Sequence, residues 1–258
     1  MDLLFYFFLF LFGTFIGSFL GVLVDRLPHG ETVLRGRSHC AFCHKTLGVL
    51  DLVPVVSYLF LRGKCRYCKK KLSLFYPVIE ILTGLLFILP FAIFHLPFSI
   101  DLFFYLFILS SLIVLFFVDL KYGILPFPVV FPAILVTFFY LIITSPFSLL
   151  TSHFIAAFGA FVFFFLLFVI TRGRGMGFGD VVYVILMGLL LGFPGILFGL
   201  YFAFVTGAIV SLILVGLKRK KIHGSTIAFG PFLIFGTIVM MFWGEELTDI
   251  AMRILIGY

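Results

Sequence analysis

Charged residues are scarce in this sequence. Asp, Glu, Lys and Arg make up only 11% of its 258 residues, whereas they make up about 25% of an average soluble domain. Hydrophobic residues make up 63%, against about 45–50% in a soluble domain. A chain this poor in charge cannot be an ordinary soluble domain. Because a helix needs about 20 mostly apolar residues to cross a bilayer, we expect an integral membrane protein.

The apolar residues fall into eight runs that predict membrane-spanning helices. The runs cover residues 3–24, 77–94, 102–118, 129–144, 154–171, 181–192, 195–217 and 226–243. The run that begins at Val181 is short and Phe193-Pro194 follows it, so seven or nine helices are the alternatives. The sequence therefore predicts an all-α polytopic membrane protein with about eight transmembrane helices.

The first apolar run lacks the marks of a cleaved signal peptide, since no basic segment precedes it and no small-residue cleavage site follows it. We expect it to be a retained first helix. Gly13, Gly17 and Gly21 recur along it at four-residue spacing. That spacing predicts a thin helix face against which another helix packs closely.

Basic residues are nearly absent from one side of the predicted membrane. With eight helices the loops alternate between the two sides, and all 18 lysines and arginines except Arg253 fall on the same side. Lys and Arg are retained preferentially in cytoplasmic loops, so this side is predicted to be cytoplasmic and both termini to lie outside. This bias, together with attraction to anionic membrane lipids, accounts for the net charge of +7, and we expect no nucleic-acid partner.

Cysteine is absent outside one long polar loop. The four cysteines form two C-x2-C pairs, Cys40 with Cys43 and Cys65 with Cys68. Two such pairs place four thiolates around one tetrahedral zinc ion, and four thiolates leave no open position for catalysis, so the predicted zinc is structural. Disulfides are the alternative, but they are rare in the reducing cytoplasm.

These features divide the chain into three predicted regions. Residues 1–25 form the first transmembrane helix, residues 26–76 form a small zinc-binding cytoplasmic domain, and residues 77–258 form a helical bundle.

Two carboxylates lie at the predicted cytoplasmic ends of helices, Asp119 after the third run and Asp180 before the sixth. Each alone is consistent with a helix cap. Two carboxylates at matching depth predict an aspartyl pair that shares one proton and hydrolyses peptide bonds. Gly177 and Gly179 remove Cβ atoms beside Asp180, which predicts a non-helical loop that a substrate backbone can approach. No P-loop lysine follows these glycines, which argues against a nucleotide site.

The sequence resembles the type IV prepilin peptidases, which are GxGD aspartyl proteases. The resemblance rests on motifs along nearly the whole chain: Gly17-Ser-Phe-Leu-Gly, Asp51-Leu-Val-Pro54, Arg62-Gly-Lys-Cys65-Arg-Tyr-Cys68, Tyr76-Pro77-Val-Ile-Glu80, Gly177-Phe-Gly179-Asp180 and Ala228-Phe-Gly230-Pro231. The family often has a lysine two residues after the second catalytic aspartate, where this chain has Val182. The missing lysine changes the local electric field on Asp180 but removes no proton-transfer group.

The resemblance implies that the protein removes the basic leader of prepilins or pseudopilins at the cytoplasmic face of a bacterial inner membrane. Asp119 and Asp180 would be the catalytic pair and the four cysteines would bind the metal. Members with the four-cysteine domain also methylate the new N-terminal residue with S-adenosylmethionine. Glu80, a carboxylate just inside the second run, is the predicted contact of the sulfonium cation, with an interfacial helix-start charge as the alternative.

Two other functions are consistent with parts of the sequence. One is a leader peptidase without methyl transfer. The other is a non-enzymatic scaffold or transporter with a zinc-bound cap. A transporter places polar groups near the middle of the membrane, whereas here the middle of each run is nearly pure Phe, Leu, Ile and Val.

Overall fold

The computed structural model describes residues 2–32, 38–96, 98–217 and 228–256. Within them the chain forms eight α-helices and two isolated β-bridges, with no longer strand. The helices are α1 Asp2–Arg26, α2 Val56–Phe60, α3 Phe75–Phe94, α4 Ile100–Tyr122, α5 Phe127–Thr144, α6 Phe147–Ile170, α7 Phe178–Gly216 and α8 Gly230–Ile256. The predicted topology also used Arg35, Arg37, Lys218, Arg219, Lys220 and Lys221, and the last run began at Thr226; these residues lie outside the described ranges.

Seven of these helices are long and apolar enough to cross a membrane, all except α2. The protein is therefore a multi-pass membrane protein. The 39 residues of α7 include two with non-helical backbone, Gly192 and Phe193. The end of the Met187 side chain lies against Gly199, although a straight helix would separate the two residues by about 18 Å along its axis.

The contacts of α6 show that α7 is a helical hairpin. Phe168 near the end of α6 packs on Phe178 with ring centroids 5.6 Å apart, and His153 near its start donates from Nδ1 to the Leu189 carbonyl at 2.7 Å. The first arm of α7 therefore runs antiparallel to α6. Since Met187 meets Gly199 beyond the turn, the second arm folds back. The predicted runs 181–192 and 195–217 are these two arms, so the part of the chain that the structure describes contains eight membrane segments, the predicted number.

Two helix boundaries differ from the predicted ones by seven residues or more. Helix α6 begins at Phe147 rather than Phe154, because Pro146 has extended backbone and supplies its N-cap. Helix α8 continues past Trp243 to Ile256 through a more polar stretch. Hydropathy marks where a helix leaves the hydrocarbon, whereas backbone hydrogen bonding decides where it ends.

The chain divides into two compact units within α4, residues Met1–Val114 and Leu115–Tyr258. In the first unit α1 packs along α3. A Cβ atom built on Gly13 would stand 2.7 Å from the Gly84 Cα, and one built on Gly17 would stand 2.7 Å from the Glu80 Cα. The predicted thin face of α1 is thus confirmed as the surface that contacts α3.

The second unit is built around α7, which packs against α5, α6 and α8. Its first arm is buried along most of its length, including Val181, Val184 and Leu186. The hydroxyl groups of buried Tyr183 and Thr237 on α8 lie 2.8 Å apart and hydrogen-bond. This packing holds the start of α7, and therefore Asp180, in a defined position.

Candidate active site and metal centre

Asp119 lies in the last turn of α4 and is 5% exposed. The helix ends just beyond it, because Gly123 has a φ of 69° and donates its N–H to the Asp119 carbonyl at 2.8 Å. A residue in this left-handed region commonly ends a helix, and glycine adopts it without steric cost. The chain then turns through Leu125 into α5.

Asp180 is the third residue of α7 and is 7% exposed. The Gly177 N–H donates to its Oδ2 at 3.2 Å, so the carboxylate caps the helix start, where backbone N–H groups lack partners. The helix cap that the sequence analysis considered for this aspartate is thus part of its role. The cap also fixes the orientation of the side chain.

Asp119 and Asp180 come close enough for their charges to interact. Neither carboxylate forms a salt bridge with a described residue. The Oδ2 atom of Asp119 is fully buried and has no hydrogen-bond partner among the described residues. An unsatisfied buried carboxylate oxygen is costly, and here a second carboxylate is close enough for the two charges to interact.

Only one of the two glycines before Asp180 lies in the predicted non-helical loop, because Gly177 has extended backbone whereas Gly179 is the second residue of α7. The backbone φ of Gly177 is −75°, and neither it nor Gly179 has a positive φ, so no left-handed loop requires them. A Cβ atom on Gly179 would stand 3.0 Å from the Leu125 Cβ. Gly179 therefore allows the Leu125 side chain to pack against the start of α7, whereas Gly177 faces open space apart from the Asp180 carboxylate at 3.6 Å.

Sequence reasoning missed two residues of this site, Leu125 and Gly230. A Cβ atom on Gly230, at the start of α8, would stand 2.5 Å from the Asp119 Oδ2 and 3.3 Å from the Leu125 Cδ2. Gly230 is part of the motif Ala228-Phe-Gly230-Pro231, but nothing in the sequence indicates which group it approaches. Val182, which replaces the family's frequent lysine, is buried in α7.

The four cysteines form one cluster in the loop between α1 and α3. Their Sγ atoms all lie within 4.8 Å of one another, and those of Cys40 and Cys68 are 3.9 Å apart. None is in a disulfide. Ligands held about 2.3 Å from one tetrahedral ion are separated by such distances, so the cluster fits a metal ion.

The two cysteine pairs fold as copies of one knuckle, residues 38–47 and 63–72. The Cys40 N–H donates to the Lys45 carbonyl at 3.0 Å, and the Cys65 N–H donates to the Lys70 carbonyl at 2.9 Å. His44 and Lys69 occupy equivalent places with φ of 53° and 60°. The equivalence makes the site symmetric.

Each knuckle also places a lysine over a ring of the other. Lys45 Nζ lies 4.5 Å from the centroid of the Tyr67 ring, and Lys70 Nζ lies 4.9 Å from that of Phe42. These cation–π contacts join the knuckles independently of the metal.

The thiols of the cluster differ in acidity. Burial raises the pKa of Cys40, but hydrogen bonds from the Cys43 and Phe42 backbone outweigh it and leave a pKa of about 7. The Lys70 backbone N–H lowers the pKa of Cys68, but burial and the other three thiols raise it to about 11. Metal binding must therefore displace protons.

Glu80 lies in the second turn of α3 and is 8% exposed. Its Oε2 accepts a hydrogen bond from the Val55 N–H at 2.7 Å, and the Ser18 hydroxyl of α1 also hydrogen-bonds to the carboxylate. Val55 has a φ of 61°, which is unusual for a β-branched residue. The contacts of Glu80 thus hold an irregular loop.

Comparisons with known proteins agree with this architecture. Residues 11–94 match the bacterial peptidase A24 N-terminal domain and residues 106–212 match the type IV leader peptidase family. No solved structure matches the chain.

Three similar relatives are each named prepilin leader peptidase/N-methyltransferase. The protein of Bacillus subtilis (strain 168) is 28% identical over 255 residues, which cover 96% of this chain and 98% of the relative. That of Myxococcus xanthus (strain DK1622) is 33% identical over 220 residues, covering 82% and 64%, and that of Stutzerimonas stutzeri is 27% identical over 266 residues, covering 92% and 90%. With its N-terminal and peptidase regions both matched in order, the chain belongs to the type IV leader peptidase family.

Proposed function

We propose that this protein cleaves the leader peptide of prepilins or pseudopilins and then N-methylates the residue that cleavage exposes. The observation that carries the peptidase assignment is the pairing of two buried carboxylates, Asp119 and Asp180, at the meeting ends of α4 and α7. The relatives' shared name supports both activities.

The pair supplies what peptide hydrolysis requires. Two carboxylates close together in a dry site share one proton, because both cannot ionise readily. The ionised member deprotonates a water molecule, and the protonated member donates its proton to the carbonyl oxygen of the scissile peptide. The unpartnered Asp119 Oδ2 is free to bind that water or the carbonyl group.

The zinc domain and the catalytic pair belong on the cytoplasmic side of a bacterial inner membrane in this proposal. The support is the charge asymmetry of the sequence, since every basic residue but Arg253 falls on this side of the predicted topology. Cys40, Cys43, Cys65 and Cys68 would hold a structural zinc ion, because all four ligand positions are filled by thiolates.

S-adenosylmethionine would donate the methyl group. Glu80, the predicted contact of this cofactor, is buried and already bound by Val55 and Ser18. Those contacts fit a residue that positions the loop rather than one that meets a ligand, so we assign no step of methyl transfer to it.

Reconstitution with a prepilin-like substrate tests the proposal. The purified protein in lipid, with S-adenosylmethionine, should release the leader and yield a product heavier by one methyl group, both read by mass spectrometry. Without S-adenosylmethionine, cleavage should continue and methylation should stop. Replacing either Asp119 or Asp180 should reduce the cleavage rate by about 10²–10⁴-fold, the usual contribution of general acid–base catalysis.

The informative variants are D119N and D180N, because asparagine keeps the size of the side chain and, at Asp180, an oxygen that accepts the Gly177 N–H. Unchanged cleavage by either variant would refute the catalytic role of the pair. Cleavage with no methylation under any condition would leave the peptidase-only alternative.

A further inference from the structure

Residues 49–61, which join the two zinc knuckles, are apolar although the domain around them is basic. Asp51 is the one charged residue among them. The segment contains the short turn Val49–Asp51 and helix α2. An apolar stretch of this length is too short to span a bilayer and is typical of interfacial or re-entrant segments.

Four of its apolar side chains are mostly exposed. Val49 is 79% exposed, Leu50 70%, Leu59 67% and Phe60 84%. The turn Val49–Asp51, which carries the first two, contacts α2, which carries the last two. We call these four residues the apolar tip. Exposed side chains of this kind at one place on a small domain mark an interaction surface.

The charge within the segment is neutralised. The Arg66 Nε donates to the Asp51 Oδ1 at 2.5 Å, and the Gly48 N–H donates to its Oδ2 at 3.1 Å. The Asp51 side chain is only 5% exposed. The apolar tip therefore carries no free charge of its own.

The segment also lies beside the membrane helices rather than beyond their ends. Val55, just before α2, is held by Glu80, which is five residues, or about 7.5 Å, inside α3. Ser18, which also binds this carboxylate, precedes Arg26 at the end of α1 by eight residues, or about 12 Å. Residues 53–56 are thus at the depth of the first turns of α3.

We infer that residues 49–61 insert into the lipid leaflet at which α1 ends and α3 begins, with the apolar tip among the acyl chains. The basic residues that follow the segment, including exposed Arg62, Lys64 and Lys71, would then meet anionic headgroups, to which such residues are attracted. The zinc knuckles flank the segment and hold its two ends together. This inference is independent of the proposed catalytic activity.

Tryptophan fluorescence of the full-length protein in nanodiscs tests the insertion. The chain has a single tryptophan, so W243F provides a dark background in which F60W and L50W each report one position. Both should lose most of their emission to lipids with brominated acyl chains and almost none to iodide in the water. F12W, on an exposed face of α1, serves as the lipid reference.

A41W, on the exposed surface of the first knuckle, serves as the water reference and should respond to iodide. The insertion is wrong if iodide quenches F60W and L50W as strongly as A41W. It is also wrong if neither quencher reaches them, because a protein surface, such as a second copy or a substrate helix, would then cover the tip. A zinc content equal to that of the parent protein shows that each variant is folded.

Discussion

At the scale of single residues, the space around Asp119 is set by a glycine from another helix. Gly230 begins α8, and its missing Cβ leaves room for the Asp119 Oδ2. Leu125 fills the gap between Gly230 and Gly179. The close approach of three helix ends therefore positions the carboxylate, and its Oδ2 has no hydrogen-bond partner among the described residues.

We predict that G230A reduces cleavage by about 100-fold without unfolding the protein. A methyl group there would stand 2.5 Å from the Asp119 Oδ2 and push the carboxylate aside, and a displacement of about 1 Å in a catalytic group costs about that factor. The measurement is the cleavage rate in reconstituted membranes. G159A is the matched control, because a Cβ at Gly159 meets nothing within 4 Å; equal rates for the two variants would contradict the prediction.

The two aspartates of the candidate site could be picked out from the sequence, whereas the residues that pack against them could not. Asp119 and Asp180 stand out because a carboxylate at the end of an apolar run is rare. Leu125 looks like any other apolar residue, and the role of Gly230 depends on a contact with a residue more than one hundred positions earlier. The glycines near Asp180 were identified, and the backbone is non-helical at Gly177 as predicted, whereas Gly179 lies inside the first turn of α7 and makes room for Leu125.

At the scale of helices, α1 and α3 approach along a glycine face. Cβ atoms built on Gly13 and Gly17 fall 2.7 Å from backbone atoms of α3, and backbone cannot rotate away as a side chain can. A Cβ atom on Gly21, one turn further, would meet only side chains, those of Ile79 at 3.6 Å and Tyr76 at 3.7 Å. The three glycines have the same spacing in the sequence, but only Gly13 and Gly17 lie against the backbone of α3.

G13A and G17A should each destabilise the α1–α3 pair by about 1–3 kcal/mol, the usual cost of overpacking, whereas G21A should have little effect. Unfolding titrations in mixed detergent micelles measure the difference. A loss for G21A equal to that of the other two would show that helix propensity or lipid contact, rather than close packing, explains the glycines.

The turn of the α7 hairpin is held from α6. The Phe193 N–H donates to the Ser152 Oγ at 3.0 Å, and the Ser152 hydroxyl donates to the Phe193 carbonyl at 3.1 Å. The Ser152 side chain thus hydrogen-bonds to both the N–H and the carbonyl of Phe193, a residue whose backbone is not helical. In a membrane, such backbone groups need a partner.

We predict that S152A destabilises the fold by about 1 kcal/mol, a typical value for a lost hydrogen bond. The matched control is T151A, because the Thr151 hydroxyl donates only to the Ser148 carbonyl within its own helix. Thermal unfolding in detergent should separate the two variants. Indistinguishable stabilities would mean that water or lipid headgroups replace Ser152 at the turn.

In the molecule as a whole, the two cysteine knuckles close the long polar loop between α1 and α3. The sequence predicted the metal cluster from spacing alone, and the structure adds that the two knuckles are equivalent and exchange lysine–aromatic contacts. Purified protein should contain one zinc per chain, and its four thiols should resist alkylation until a chelator removes the metal. Four freely reactive thiols with no zinc would overturn this assignment.

The number of membrane segments was predictable from the sequence, because the bilayer allows only long apolar helices to cross. The fold of α7 was predicted as two runs and is confirmed as a hairpin through the contact of Met187 with Gly199. The packing partners of each helix were not predictable. Nearly every membrane segment is apolar all round, so hydropathy does not show which face meets protein and which meets lipid.

Comparing D119N, D180N and the double variant in the cleavage assay shows whether Asp119 and Asp180 act as one catalytic pair. Two carboxylates that share one proton act as a unit, so removing the second after the first should cost almost nothing. We predict that all three variants retain the same residual rate. If the double variant instead shows the product of the two single losses, the aspartates act independently and the pair is not the catalytic device.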